Sequence, residues 1–202
     1  MSKIVVYVHG KDGSASEAEH FRPLFQEYEV TGFDYHSETP WEARNEFPEY
    51  FGKLLERFDS VILIANSIGA YLSMCSLSGE LIEQAYFISP IVDMEQLILD
   101  MLDWSGNTEE DLLRRKEIPT EFGETLSWDY LAYVRENPVN WQVPTKIIYG
   151  EKDYMTSLDT MTRFSDRTGA KLTVMPEGEH WFHTREQMQF LDRWIKGEIR
   201  EN

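Results

Sequence analysis

The hydrophobic positions of this chain form short continuous runs that alternate with longer stretches of helical periodicity. The two most apolar runs, 4–8 and 61–65, contain no charged residue and are rich in β-branched side chains. Continuous runs of this length are typical of strands that helices cover on both faces. Weaker runs of the same kind bring the prediction to six strands, at 4–8, 29–35, 61–65, 85–89, 146–149 and 171–175.

Helical stretches separate most of these strands. In the last stretch, Met188, Leu191 and Ile195 recur at spacings of three and four and would share one face. The predicted helices lie at 16–27, 41–58, 68–78, 157–167 and 184–199. Because crossover helices join parallel strands, the sequence predicts an α/β protein, a three-layer α/β/α sandwich with a mostly parallel sheet.

One segment, 93–143, breaks the alternation between the fourth and fifth strands. It is predicted to hold a helix around 97–102, a break at 104–107 and a second helix at 127–136. A connection this long is uncommon unless it serves a function such as covering a pocket. We therefore expect a single domain, 1–202, with a helical, lid-like insertion at 93–143. A larger helical crossover that packs on the sheet is the alternative.

Polar residues collect where the predicted strands end, which is where open parallel sheets bind ligands. Ser67 follows the most apolar strand and precedes a helix, the setting of a nucleophile elbow. This turn brings the strand and helix backbones close together, and the small residues Ala65 and Gly69 allow that approach, with alanine where glycine is usual. The alternative is that Asn66 and Ser67 only cap the following helix.

A serine hydroxyl becomes a nucleophile when a base takes its proton and a carboxylate orients that base. Asp153 follows the fifth strand and His180 follows the sixth, so both can supply these roles beside Ser67. Asp93, after the fourth strand, and His183 are the competing acid and base. We favour Asp153 and His180, because a glycine turn precedes His180 whereas His183 falls at the start of the last helix.

Acyl transfer also requires backbone amides that stabilise the negative charge of the tetrahedral intermediate. Ile68, directly after Ser67, would offer one amide at a helix N-terminus. The second is expected from the loop after the first strand, at Lys11, with His9 orienting that loop by hydrogen bonds rather than acting as a base. The alternative is an ordinary glycine-containing turn.

These motifs together resemble those of compact, esterase-like serine hydrolases of the α/β-hydrolase fold. The resemblance rests on segments 8–10, 65–69, 149–153 and 178–182, and so spans nearly the whole chain. It implies that the serine, aspartate and histidine above form a catalytic triad and that the two amides form an oxyanion hole. The implied reaction is cleavage of a carboxylic ester, or of a thioester or amide, through an acyl-enzyme.

Two other function classes remain open, because one fold carries many activities. The first is a non-catalytic binding or regulatory protein that keeps the fold and the pocket. The second is an acyltransferase or a C–C bond enzyme that uses the same fold.

Composition and charge narrow the class of partner. The 202 residues are 42% hydrophobic, which suffices for a large core and argues against disorder. The 36 acidic and 19 basic residues give a net charge of −17, which would repel nucleic acids and anionic lipid surfaces. We therefore expect a small-molecule substrate, neutral or cationic, and neither nucleic acid nor a membrane as partner. The alternative is that the excess of acidic residues serves only solubility.

Cysteine, targeting and metal signals are few. The single cysteine, Cys75, cannot form an internal disulfide and falls within a predicted helix, where core packing is its expected role. The chain opens on an apolar strand without a cleavable leader, and no run is long enough to cross a bilayer, so a cytoplasmic location is expected. We found no metal-ligand motif and no phosphate-binding glycine loop, so no metal and no cofactor are expected.

Overall fold

Six parallel strands form the main sheet of the computed structural model, which describes residues 2–200. They are β1 (Lys3–Val8), β2 (Glu29–Phe33), β3 (Ser60–Asn66), β4 (Gln84–Ile88), β7 (Thr145–Gly150) and β8 (Lys171–Met175). Their order across the sheet is β2-β1-β3-β4-β7-β8. All six predicted strands are present, and the prediction of a mostly parallel sheet is confirmed.

Seven α-helices accompany the strands within residues 2–200. They are α1 (Pro40–Leu55), α2 (Ile68–Ser76), α3 (Met94–Trp104), α4 (Glu109–Arg115), α5 (Trp128–Glu136), α6 (Leu158–Thr168) and α7 (Arg185–Arg200). Within the described part of the chain, each helix falls short of the length and apolarity that crossing a bilayer requires.

Alternate residues of the strands face opposite sides of the sheet, and both sides are buried. On one side Val5, Ile64 and their neighbours pack against Leu191 and Trp194 of α7. On the other side Val6 and Leu63 are fully buried, and α1 and α2 pack against β3 and against each other. Helices therefore cover both faces, which confirms the three-layer α/β/α prediction and explains the unbroken apolar runs at 4–8 and 61–65.

The predicted helix at 16–27 is wrong in type and length. The segment is a 3₁₀ helix at Ala15–His20, followed by turns. Proline has no amide hydrogen and disfavours helical geometry in the residue before it, so Pro23 prevents an α-helix from continuing through Arg22. The apolar side chains Phe21 and Phe25 nevertheless reach the core.

The chain divides into two compact units. The first runs through Val92 and resumes at Asn140, and it holds the six-stranded sheet. The second, Asp93–Val139, holds α3, α4 and α5 together with a short antiparallel pair, β5 (Glu117–Pro119) and β6 (Thr125–Ser127). The helix α4 and the strand pair were not predicted from the sequence. The role of this unit as a lid stays a prediction.

Candidate active site

Ser67 lies on a tight turn between β3 and α2 with a strained backbone, φ 50° and ψ −120°. Residues other than glycine adopt such a conformation only where the surrounding structure imposes it. Two hydrogen bonds do so here, since the Ser67 amide donates to the Ile88 carbonyl at 3.0 Å and the Ser67 carbonyl accepts from the Ile91 amide at 3.2 Å. The turn has the geometry of a nucleophile elbow, which projects the hydroxyl beyond the carboxyl edge of the sheet.

The residues around this turn leave no room for larger side chains. A methyl group added at Gly69 would collide with the carbonyl oxygen of His9, and one added at Gly10 would lie 3.3 Å from the Ser67 Cβ. Ala65 is fully buried between its neighbours in the sheet. Small residues therefore allow α2 and the loop after β1 to pack directly against the turn.

The hydroxyl of Ser67 lies within hydrogen-bonding distance of the imidazole of His180. Their Oγ and Nε2 atoms lie 2.8 Å apart, and the other ring nitrogen of His180, Nδ1, lies 2.7 Å from Oδ2 of Asp153. The side chain of Asp153 is fully buried and that of His180 is 13% exposed. A carboxylate accepts a hydrogen bond from Nδ1–H, which leaves Nε2 as the acceptor for the serine hydroxyl. The structure thus brings the three predicted side chains into one hydrogen-bonded chain.

Backbone amides fix the carboxylate of Asp153. Its Oδ1 accepts from the amides of Met155 at 2.8 Å and Thr156 at 3.3 Å, while Oδ2 faces the histidine. The Tyr149 hydroxyl donates to the Thr156 carbonyl at 2.7 Å and supports the same turn. Burial, followed by the charge of Asp153, raises the pKa of Tyr149 to about 12, so its hydroxyl remains a donor at neutral pH.

The loops that carry Asp153 and His180 pack backbone to backbone. A methyl group on Gly150, at the end of β7, would collide with the carbonyl oxygens of Gly178 and Glu179. The Lys152 amide also donates to the Gly178 carbonyl at 2.7 Å. The two glycines therefore set the distance between the acid loop and the histidine loop.

Both predicted oxyanion amides adjoin residues that pack at this turn, since Ile68 directly follows Ser67 and Lys11 follows Gly10, which packs against the Ser67 Cβ. Ile68 is the first residue of α2, so the hydrogen bonds of that helix leave its amide unused. Lys11 follows Gly10, whose carbonyl accepts from His9 Nδ1 at 2.8 Å and from the Gly13 amide at 3.2 Å. His9 thus bonds within its own loop, as expected from the sequence.

Solved structures resemble this fold over almost its whole length. Est1E from Butyrivibrio proteoclasticus matches with a TM-score of 0.76 and 16% sequence identity, over 99% of this chain and 88% of that one. Alpha/beta hydrolase domain-containing protein 10 from mouse matches with a TM-score of 0.70 and 14% identity, over 98% and 90% of the two chains. The chain adopts the α/β-hydrolase fold.

A further α/β-hydrolase match is the thioesterase domain from the curacin biosynthetic pathway, with a TM-score of 0.57 and 17% identity, over 96% of this chain and 91% of that one. No family model matches the sequence. No curated protein matches it either. At these identities the likeness establishes the α/β-hydrolase fold alone.

The competing acid and base have other contacts in this α/β-hydrolase fold. The carboxylate of Asp93 accepts from the Gln96 amide at 3.0 Å and caps the N-terminus of α3. The Nδ1 atom of His183 lies 2.7 Å from the Trp181 carbonyl, and its ring stacks on the Trp181 indole. These contacts account for both residues without a role beside Ser67.

Sequence reasoning missed Tyr35, which lies in the loop after β2 and contacts His9. No motif marks this residue in the sequence, because its position depends on the pairing of β1 with β2. Among residues 2–200, no group of three or more His, Cys, Asp or Glu side chains is placed to hold a metal ion.

Proposed function

We propose that this chain is a serine hydrolase that cleaves a carboxylic ester of a small molecule through an acyl-enzyme intermediate. The observation that carries the proposal is the continuous hydrogen-bonded chain from Ser67 Oγ through His180 to Asp153, which starts on a strained turn. A serine that only capped a helix would not need a buried acid and an imidazole aligned behind it.

Each residue has a defined role in this mechanism. Ser67 Oγ attacks the ester carbonyl while His180 Nε2 takes its proton, and Asp153 stabilises the imidazolium. The amides of Lys11 and Ile68 stabilise the oxyanion. Collapse of the tetrahedral intermediate expels the alcohol, which receives the proton from His180. Water then attacks the acyl-enzyme by the same sequence, releasing the acid and restoring Ser67.

The structural neighbours support the class of reaction. The curacin-pathway domain is described as a thioesterase, and Est1E has ferulic acid bound in a second structure. An ester is favoured over an amide here because its alcohol leaves without strong activation. The net charge of −17 favours a neutral or cationic substrate over an anionic one.

The test is hydrolysis of p-nitrophenyl esters of graded acyl length, with a feruloyl ester and an acyl thioester as further substrates. We expect Ser67→Ala, His180→Ala and Asp153→Asn each to lower turnover by about 10⁴-fold, because the three side chains act as a unit. A fluorophosphonate probe should label the wild type and leave Ser67→Ala unlabelled.

Matched controls come from the competing candidates. Asp93→Asn keeps a capping side chain on α3, and His183→Gln removes the second histidine, so both should retain wild-type turnover. Full activity of the three triad variants, or loss of activity in Asp93→Asn or His183→Gln instead, would contradict the assignment. A wild type that neither turns over any ester nor reacts with the probe would favour a non-catalytic binding protein.

Acyltransferase activity is separated by product analysis. With hydroxylamine or a simple alcohol added, a hydrolase still releases mainly the free acid. A transferase would convert most of the substrate into the hydroxamate or the new ester.

A further inference from the structure

Tyr35 makes two different contacts with His9, the first residue of the loop after β1. Its hydroxyl donates to the His9 carbonyl at 2.9 Å. Its ring stacks on the imidazole with the ring centroids 4.4 Å apart and the planes 19° from parallel. One side chain therefore restrains both the backbone and the ring of His9.

The restrained loop lies directly against Ser67. Gly10 follows His9, and a methyl group at Gly10 would be 3.3 Å from the Ser67 Cβ. Glycine has the widest choice of backbone conformations, so Gly10 does not set the direction of its own peptide groups. Hydrogen bonds from other residues must therefore set those directions.

The hydrogen bonds of the loop set those directions. No peptide bond in the described chain is cis, and in a trans peptide the carbonyl and the amide hydrogen point in opposite directions. The Gly10 carbonyl is held by His9 Nδ1 and by the Gly13 amide. The amide of Lys11 in the same peptide group is therefore fixed in the opposite direction. The His9 ring has to stay in place for this to hold.

Tyr35 is itself anchored to the body of the protein. Its ring packs edge-on against the buried Phe47 of α1, with centroids 5.2 Å apart. The two residues that follow it are tied to the same helix, since the amides of His36 and Ser37 donate to the carboxylate of Glu46 at 2.9 and 2.8 Å. Tyr35 thus connects the loop after β1 to helix α1.

We propose that Tyr35 is a positioning residue, which holds the His9–Gly10 backbone so that the Lys11 amide faces the oxyanion formed at Ser67. This inference rests on the proposed function. Tyr35 takes no part in proton transfer. Burial, and then the charges of Glu46 and Glu17, raise the pKa of its hydroxyl to about 12, so it donates to His9 at any pH at which the enzyme would work.

The test compares Tyr35→Phe, which loses only the hydroxyl, with Tyr35→Leu, which also loses the stacked ring. Removing an oxyanion donor outright costs about 10²- to 10³-fold in turnover, and a donor that is loosened should cost less. We expect kcat/KM to fall about tenfold in Tyr35→Phe and about 10²-fold in Tyr35→Leu. Tyr50→Phe is the matched control, because Tyr50 stacks on Phe33 in the same aromatic cluster and hydrogen-bonds with Thr31 instead.

Inhibitor affinity separates positioning from a general structural role. A trifluoromethyl ketone forms an adduct with Ser67 that carries an oxyanion, and its affinity should fall by the same factor as kcat/KM. The corresponding secondary alcohol has the same carbon skeleton and no oxyanion, so its affinity should stay within about twofold. The melting temperature of Tyr35→Phe should match that of Tyr50→Phe.

The outcomes distinguish this inference from the function on which it rests. If the wild type and Tyr50→Phe are active, Ser67→Ala is inactive, and Tyr35→Phe behaves as the wild type, the inference is wrong and the proposed function stands. Equal losses of ketone and alcohol affinity in Tyr35→Phe would also overturn it, because they indicate general disruption. A wild type without esterase activity or probe labelling overturns both.

Discussion

Backbone strain in this chain collects at the ends of strands. Among residues 2–200, five residues other than glycine have a positive φ, and four of them, Asp12, Ser67, Ser89 and Glu177, lie in the loops that follow β1, β3, β4 and β8. The fifth is Lys116, at the end of α4. Strained conformations of this kind persist where neighbouring structure over-determines them, which is common at functional sites. Their placement agrees with the position of the Ser67, His180 and Asp153 side chains at one edge of the sheet.

Cys75 differs from Ser67 in its environment, although both belong to the same strand–helix unit. Burial raises the pKa of its thiol to about 11, against smaller opposing effects of Tyr71 and Arg44. Because the thiolate is the reactive form, we expect slow alkylation by iodoacetamide at pH 7.5. The rate should rise about tenfold per pH unit up to pH 10. Mass spectrometry of the intact protein over time measures it.

The control for Cys75 is the same reaction in urea, where the thiol regains an ordinary pKa and should react at the rate of a small thiol. Rapid alkylation of the folded protein at pH 7.5, equal to that in urea, would show that the thiol is accessible and ionised. It would then need to be considered as a second nucleophile.

The glycine of helix α2 has no room for a side chain, whereas the glycine of helix α1 has room for one. In α2, a methyl group at Gly69 would collide with the His9 carbonyl, whereas one at Gly52 in α1 would meet nothing within 4 Å. We expect Gly52→Ala to stabilise the protein by about 0.5–1 kcal/mol, because glycine loses more conformational freedom in a helix. Gly69→Ala should destabilise it by about 1–3 kcal/mol, the usual cost of overpacking. Urea unfolding measures both.

The same pair of variants separates stability from activity. Gly69→Ala should also lower esterase turnover, because it displaces the helix that carries the Ile68 amide. Gly52→Ala should leave turnover unchanged. Gly197→Ala in α7, where a methyl group also meets nothing within 4 Å, is a second control. A stable and fully active Gly69→Ala would mean that close contact between α2 and the β1 loop is not required.

The central strands β1 and β3 were the most predictable from the sequence, because they are buried on both faces and therefore form unbroken apolar runs. Short elements such as β5 and β6 were not predictable, since a strand of three residues is too short to show a recognisable alternation of apolar and polar positions. Helix α4 had a usable signal in the capping box of Thr108 and Asp111, which was overlooked. The order of the strands in the sheet depends on contacts between distant segments, so the local pattern could not supply it.

The candidate site was predictable to a different extent. The turn at Ser67 and the polar residues after β7 and β8 are local signals, and the rule that ligands bind at strand ends places them together. The role of Tyr35 was not predicted, because its contact with His9 joins the loops that follow two neighbouring strands. Residues that act by holding another loop leave no local pattern, and only the folded structure identifies them.

The charge of the whole molecule is strongly unbalanced, with a net charge of −17 at pH 7. Salt acts on this charge in two opposite ways. It weakens attractive pairs such as Lys53–Glu49, but that pair is 67% and 69% exposed, and exposed pairs contribute little to stability. Salt also screens the repulsion among the excess carboxylates, which opposes the compact state. Repulsion is the larger effect because acidic residues outnumber basic ones 36 to 19.

We therefore expect added salt to stabilise this protein at pH 7. Raising NaCl from about 10 mM to about 300 mM shortens the screening length from about 30 Å to below 10 Å. The melting temperature should rise by about 3–6 °C, which corresponds to about 1–2 kcal/mol for a chain of this size. The rise should level off by about 300 mM, because screening saturates, whereas surface exclusion by concentrated salt continues to grow. A falling melting temperature over this range would show that attractive pairs outweigh the repulsion.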